Sequence, residues 1–356
     1  MKRPRTSGPF LRRARLAGLF TSLALALTAL TACGGGSESE TSAPAASGGT
    51  AFPVTVQHKY GSTTITKEPK RIVTVGLTDQ DALLALGVVP VGATEFDGGY
   101  PGAIGPWAQD RRGGAALPEV LKDTGGGPPL EKVAALKPDL ILSLYAGTTK
   151  NTYTTLSKIA PTVAQPKEYA DYGIPWQELT KTAGLAIGKR EQAEKVVADL
   201  EARLAKERKD QPEFKGRTGL LATPYDGHFV YGAQDPRSRV LASLGFTIPA
   251  DLDKVIGAKF GANISRERVD LLDTDAIVWI VPDVKADRSK LHADRLYGAL
   301  EVAEQEREVF LDEKSSYGHA VSFASVLSIP YVLDRLVPQL AKAVDGDAAT
   351  KVVPAT

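Results

Sequence analysis

Glu131-Lys-Val-Ala-Ala-Leu136-Lys-Pro-Asp139-Leu-Ile141 aligns without a gap on Glu267-Arg-Val-Asp-Leu-Leu272-Asp-Thr-Asp275-Ala-Ile277. Glu, Val, Leu, Asp and Ile fall at the same offsets, and a basic residue follows each Glu. Each copy predicts a short helix with an apolar face, Val133 with Leu136 and Val269 with Leu272, then a turn carrying Asp. A buried strand follows, over 140–144 in one copy and 276–281 in the other. Helix then strand is half of a parallel α/β crossover, so two copies predict two lobes of like construction. These residue types are common, and the reading gains weight from a second echo. Leu83-Leu-Ala-Leu86-Gly87-Val and Leu241-Ala-Ser-Leu244-Gly245-Phe both read as helix ends stopped by Gly before a strand.

Outward from the repeat, the N-terminus reads as an export signal. Lys2, Arg3, Arg5, Arg12, Arg13 and Arg15 precede an apolar stretch over 16–32, followed by Cys33 and Gly34. The stretch sits at the lower limit for a membrane-spanning helix, which is the alternative reading. Cys33 is the only cysteine, so no disulfide forms within the chain. A lone thiol in an exported protein asks for a use. Leu30-Thr-Ala-Cys-Gly34 resembles the lipobox of bacterial lipoproteins, which implies lipidation at Cys33 and a signal peptide over 1–32. Several acyl chains anchor durably where one does not. Residues 33–51, lacking large apolar side chains, read as a flexible tether.

The whole chain carries a formal charge of +1, and losing the leader's six cations leaves −5. That balance gives no basic surplus for nucleic acid. About 300 remaining residues favour two cores over one. The expected segments are an N-terminal α/β lobe over 52–178, an inter-lobe helical segment over 179–211, a C-terminal lobe over 212–346 and a tail over 347–356.

In the first lobe the pattern predicts a hairpin over 52–66, strands over 71–75 and 89–93, and a helix over 79–86. A long Gly- and Pro-rich loop over 96–127 precedes the first repeat copy; a helix over 153–160 and a strand over 162–164 follow it. Ala193, Val196, Val197, Leu200 and Leu204 form one apolar stripe on a charged helix over 189–210, roughly 33 Å long. It reads either as a surface helix of one lobe or, from its midway position, as a stiff spar between two. Beyond it come a strand over 218–222, a helix over 239–244, the second copy, a strand over 308–311 and an apolar helix over 324–343.

With these pieces in place, the chain resembles the substrate-binding proteins of ATP-driven importers for ferric siderophores and vitamin B12. The resemblance rests on Glu68-Pro-Lys-Arg-Ile-Val73, Leu83-Leu-Ala-Leu-Gly-Val-Val-Pro-Val-Gly92, the segment over 130–142, Trp176-Gln-Glu-Leu-Thr180, Asp235-Pro-Arg-Ser-Arg-Val-Leu-Ala-Ser-Leu-Gly245 and Ile264-Ser-Arg-Glu-Arg268. It covers 68–344 and looks closest to the ferric-siderophore branch of Gram-positive actinobacteria, where a lipid anchor on the cell membrane replaces a periplasm. It implies two doubly wound lobes joined by a single helix, a ligand cleft between them, a monomer, and no cofactor beyond the bound metal chelate. Glu131 and Glu267 match the family's two acidic knobs, which dock on the importer's membrane subunits. A carboxylate in a helix's first turn is also favoured by the helix dipole alone.

Arg237 and Arg239 match positions where the family places pocket cations. Ligands of open α/β sheets sit beyond the carboxyl ends of strands, which nominates Thr78, Asp79, Phe96, Tyr145, Thr223, Tyr225 and Tyr231. Trp107 and Tyr100 join them from the long loop, and for each aromatic residue core packing stands beside ligand contact. Trp279, in an apolar run, reads as core. A chelated iron needs aromatic walls and cations rather than metal ligands. His58, His228, His292 and His319 lack the spacing of a metal site. An enzyme is the rival class, but no Gly-x-Ser-x-Gly elbow, Gly-rich phosphate loop or paired His motif occurs. Haem and cobalamin fit the same kind of cleft, and the aromatic content leans towards hydroxamate or mixed siderophores over catecholates.

Overall fold

The computed structural model describes residues 52–95, 98–122, 127–225, 227–347 and 350–352. The leader, the tether with Cys33, Phe96 and part of the tail lie outside the described residues. The first lobe opens with an antiparallel hairpin, β1 (Val54–His58) and β2 (Gly61–Ile65). Then follow β3 (Ile72–Thr74), α1 (Asp79–Ala85), β4 (Gly92–Glu95), β5 (Glu119–Lys122), α2 (Leu130–Ala135), β6 (Leu140–Ser143), α3 (Lys150–Ile159) and β7 (Thr162–Ala164). The sheet runs β5-β4-β3-β6-β7, with every pair parallel. Leu140 and Leu142 of β6 pack with Leu83 of α1 and Leu86 at its C-terminal cap, whereas Ile141 packs on the other face with Val133 of α2 and Leu156 of α3. Alternate residues of a strand face opposite ways, so a sheet covered on both sides needs an unbroken apolar run.

Two helices lead out of this lobe, α4 (Trp176–Ala186) and α5 (Arg190–Asp210). The stripe on α5 is divided between two cores. Ala193 is buried with the first lobe, Leu200 and Leu204 with the second, and Val196 packs against both. The helix is the spar. Gly184 of α4 lets it approach, since a Cβ there would lie 2.3 Å from that of Ala193.

The second lobe contains β8 (Gly219–Thr223), β9 (His228–Tyr231), α6 (Pro236–Leu244), α7 (Ala250–Ile256), β10 (Gly261–Ile264) and β11 (Ala276–Val281). It is completed by α8 (Val284–Ala293), α9 (Glu301–Glu304), β12 (Glu308–Asp312), α10 (Ser316–Phe323) and α11 (Ser328–Ala343). Its order, β10-β9-β8-β11-β12, matches the first sheet position for position, but β9 runs antiparallel to both neighbours. Trp279 is fully buried in this lobe's core.

The repeat has a physical cause. Asp139 accepts hydrogen bonds from the backbone N–H groups of Lys70 (2.9 Å) and Arg71 (2.8 Å), just before β3. Asp275 accepts from Thr218 N–H (2.7 Å) and the Arg217 guanidinium (2.9 Å), just before β8. Each aspartate therefore clamps the start of its lobe's central strand. The second echo is equally concrete. Val88 N–H bonds Leu83 O at 2.9 Å and Phe246 N–H bonds Leu241 O at 3.2 Å, around Gly87 (φ 70°) and Gly245 (φ 109°). The closure is the same at both helix ends.

Three expectations need correction. The region over 96–127 is not all loop: it holds β5 and two short 3-10 turns. As an edge strand, β5 buries only Leu121 and shows little alternation. The second repeat copy forms a 3-10 helix, Arg266–Leu272, rather than an α-helix, with a non-helical break at Arg268 (φ −113°, ψ 24°). The helix expected over 324–343 starts at Ser328. Ala324 turns left-handed (φ 41°), Ser325 Oγ accepts from Ser328 N–H, and α10 and α11 meet at 111°.

Candidate ligand-binding site

A cleft of about 790 Å³ separates the lobes. Leu77, Gly98, Tyr145, Asp171 and Tyr172 line it from the first lobe. Thr223, Tyr231, Arg237, Phe260, Glu313, Lys314, His319 and Phe323 are among the residues facing them from the second. Leu77 and Tyr145 follow β3 and β6, and Thr223 closes β8, so the cleft lies where carboxyl ends of strands converge.

Asp235-Pro-Arg organises its floor. Asp235 caps α6, accepting from Arg237 N–H at 2.9 Å, while Pro236 occupies the first helical position. The same carboxylate takes a forked pair from the Arg237 side chain, Nε at 2.8 Å and Nη2 at 3.0 Å. The guanidinium lies 3.9 Å from the Tyr231 ring centroid. Burial pulls the Arg237 pKa down, but Asp235 more than offsets it, and the group stays charged. Burial also lifts the Tyr145 and Tyr231 hydroxyls above the usual phenol value. Both phenols therefore stay protonated, offering O–H groups and ring faces, not phenolate charge.

The opposite wall is a loop braced from two sides. Asp171 pairs with Lys59 of the N-terminal hairpin at 2.5 Å. Arg239 Nη1 donates to Gly173 O at 2.7 Å, crossing from one lobe to the other. Between these ties stands Tyr172, left-handed at φ 60° and 47% exposed, with its ring edge-on to Tyr145 at 5.8 Å. A Cβ on Gly147 would lie 2.8 Å from the Tyr172 ring, so glycine makes room for it. Two of the charges lining the cleft are paired, Arg237 with Asp235 and Asp171 with Lys59, and Glu313 and Lys314 line it as well.

Of the nominated residues, Tyr145, Thr223, Tyr231 and Arg237 meet in this cleft. Arg239 stands behind it as the cross-lobe tie. Asp79 is fully buried beneath, accepting from Leu144 N–H (2.8 Å) and Tyr145 N–H (3.0 Å), and so holds the turn that presents Tyr145. Thr78 is buried beside it. Trp107 and Tyr100 border a smaller cavity of about 30 Å³. Trp107 Nε1–H donates to Asp81 (2.8 Å), which also accepts from Ser325 Oγ of the second lobe. The Tyr100 hydroxyl lies 2.7 Å from Nδ1 of His319. Tyr225 is 74% exposed at the β8–β9 connection, away from the cleft lining.

The histidines do not gather. His58 bonds Thr63, His292 bonds Glu308 and His228 stacks on Tyr297. Among the described residues no group of three His, Cys, Asp or Glu side chains is placed to hold a metal ion. Glu131 and Glu267 are both exposed in the first turns of their helices. Each of those helices runs back to the start of the strand that follows, so both glutamates lie towards the carboxyl edge of their sheets.

The model of the family described as periplasmic binding protein matches residues 72–315. The chain belongs to that family. Its members are substrate-binding proteins, not enzymes. The Fe(3+) dicitrate-binding periplasmic protein of Escherichia coli (strain K12) is 32% identical over 212 residues, which cover 56% of this chain and 64% of that relative. The chain thus spans less than two thirds of that relative's length. A solved periplasmic solute binding protein from Mycobacterium smegmatis is 36% identical, covers 82% of this chain and 98% of its own, and superposes with a TM-score of 0.70. PiaA of Streptococcus pneumoniae, solved with ferrichrome, is 26% identical over 82% of this chain and 99% of its own, with a TM-score of 0.72.

Within this member of the family, sequence reasoning missed Asp171, Tyr172, Phe260 and His319. They come from loops and helix ends that alignment with the repeat does not reach. The findable signal was Asp171-Tyr-Gly-Ile-Pro175, a turn sequence with a large aromatic at its centre.

Proposed function

We propose that the protein is a lipid-anchored extracytoplasmic receptor that binds a ferric siderophore and delivers it to an ABC importer for iron uptake. The observation that carries this reading is the cleft itself, walled by protonated tyrosines and a stacked arginine. Such a lining suits a metal that arrives already coordinated, recognised through its organic shell. The iron is cargo, and the protein needs no resident cofactor. The E. coli relative is a ferric dicitrate-binding protein and PiaA was solved with ferrichrome, both iron chelates. The lipobox at Cys33 supports a membrane anchor, and the paired positions of Glu131 and Glu267 support docking of a monomer on a two-fold permease.

The test is quenching of intrinsic fluorescence by ferric trihydroxamates, ferric tris-catecholates, ferric citrate, haem and cobalamin. Saturable binding of a ferric chelate at about 1 µM or tighter, without turnover, is expected. Binding of haem or cobalamin alone moves the reading to another cargo, and no binding by any of the five refutes it.

A further inference from the structure

We propose that Tyr172 is the specificity-determining wall of the cleft, selecting ferric chelates whose periphery carries a flat aryl group over those with aliphatic or charged arms. The inference rests on the receptor reading above and names the chemistry that site prefers.

Four observations converge on this residue. Its backbone is left-handed at φ 60°, a conformation that a bulky residue keeps only where its surroundings enforce it. The enforcement is visible: Lys59 grips the preceding Asp171, and Arg239 grips the carbonyl of the following Gly173. Nearly half of the residue is nonetheless exposed, and it lines the cleft, so the braces hold an aromatic residue in solvent rather than fill a core. From the other lobe Phe260, 59% exposed, lines the same cavity. Exposed rings lining one cavity are binding surface awaiting a partner.

The charges decide what that partner's arm carries. Of the ionic groups near this wall, Asp171 is paired with Lys59 and Arg237 with Asp235, while the Arg239 guanidinium is held on Gly173 O and Gln234 Oε1. An anionic arm placed here loses water and competes with those partners for its counter-charge. An aliphatic arm gains burial alone, whereas an aryl arm gains burial and edge-to-face contact. Arg239 acts through this loop as a positioning residue.

The experiment compares two probes: a ferric trihydroxamate bearing a phenyl group on its periphery, and the same chelate bearing methyl. The purified protein should bind the phenyl probe about fivefold more tightly. Tyr172→Ala should bring the ratio of the two affinities towards one, Tyr172→Phe should restore it, and Arg239→Gln should lower it. The Phe rescue separates ring recognition from a merely structural role. Equal affinities in the unmodified protein, or an unchanged ratio in Tyr172→Ala, overturn the proposal while the receptor reading stands. If neither probe binds and ferric tris-catecholate and ferric citrate also fail, the receptor reading falls and this one with it.

Discussion

Replacing Asp81 by Asn should remove a pH dependence built into the joint between the lobes. The Asp81 carboxylate is 2% exposed and accepts from Trp107 of its own lobe and Ser325 of the other. Burial pushes its pKa up from 3.8 to about 6, against the two hydrogen bonds, which pull it down. In the unfolded chain the group returns to its ordinary value, so folding takes up a proton between pH 4 and 6. Stability from this site is fully present below about pH 4 and is lost as pH rises through 6. A shift of about 2 units corresponds to ~3 kcal/mol. Asn keeps an oxygen for Trp107 and Ser325 but has no charge to desolvate. Urea titrations followed by tryptophan fluorescence at pH 4 and pH 7.5 read the difference between the two proteins. Between those pH values the gap should move by ~3 kcal/mol in favour of the Asn variant. Asp79 carries a like shift but is present in both proteins. A gap that stays constant, or moves the other way, refutes the reasoning.

Three further outcomes are expected. Arg237→Ala strands the Asp235 carboxylate, 3% exposed, without its cation, so the melting point should fall along with affinity for ferric chelates, by roughly 3 kcal/mol of stability; a destabilised protein with unchanged affinity would move recognition away from Arg237. Glu131→Ala with Glu267→Ala should leave the melting point and ligand affinity unchanged while cutting iron uptake by whole cells, since rim charges orient encounter more than they hold ligand; wild-type uptake in the double variant rules out the docking role. Cys33→Ala should abolish incorporation of labelled palmitate, and labelling at normal levels would place any lipid elsewhere.

The parts of the fold legible in the sequence were those with a strong period. The stripe on α5 and the unbroken run of β11 each satisfy a geometric demand over many residues, so pattern alone locates them. Asp139 and Asp275 were visible as a coincidence of spacing, and their shared role at the start of β3 and β8 explains why that spacing recurs. The edge strand β5, paired on one side only and burying a single residue, was harder because it shows little alternation. The break between α10 and α11 turns on one residue, Ala324, whose left-handed backbone nothing in its side chain announces. At the site, the resemblance offers Arg237 as a pocket cation, and the fold adds a carboxylate two residues away that holds it. Tyr172 and Phe260, 88 positions apart in the chain, share a cleft only through the packing of the lobes around α5.

The Tyr100–His319, Ser325–Asp81 and Arg239–Gly173 bonds bear on the rate of ligand capture. These bonds tie the lobes to each other, so a large opening or closing motion would have to break all three. Association should then run at the ordinary rate for two preformed surfaces, about 10⁵–10⁷ M⁻¹s⁻¹, and vary little from one chelate to the next. Preference among ligands would be written in how long each one stays.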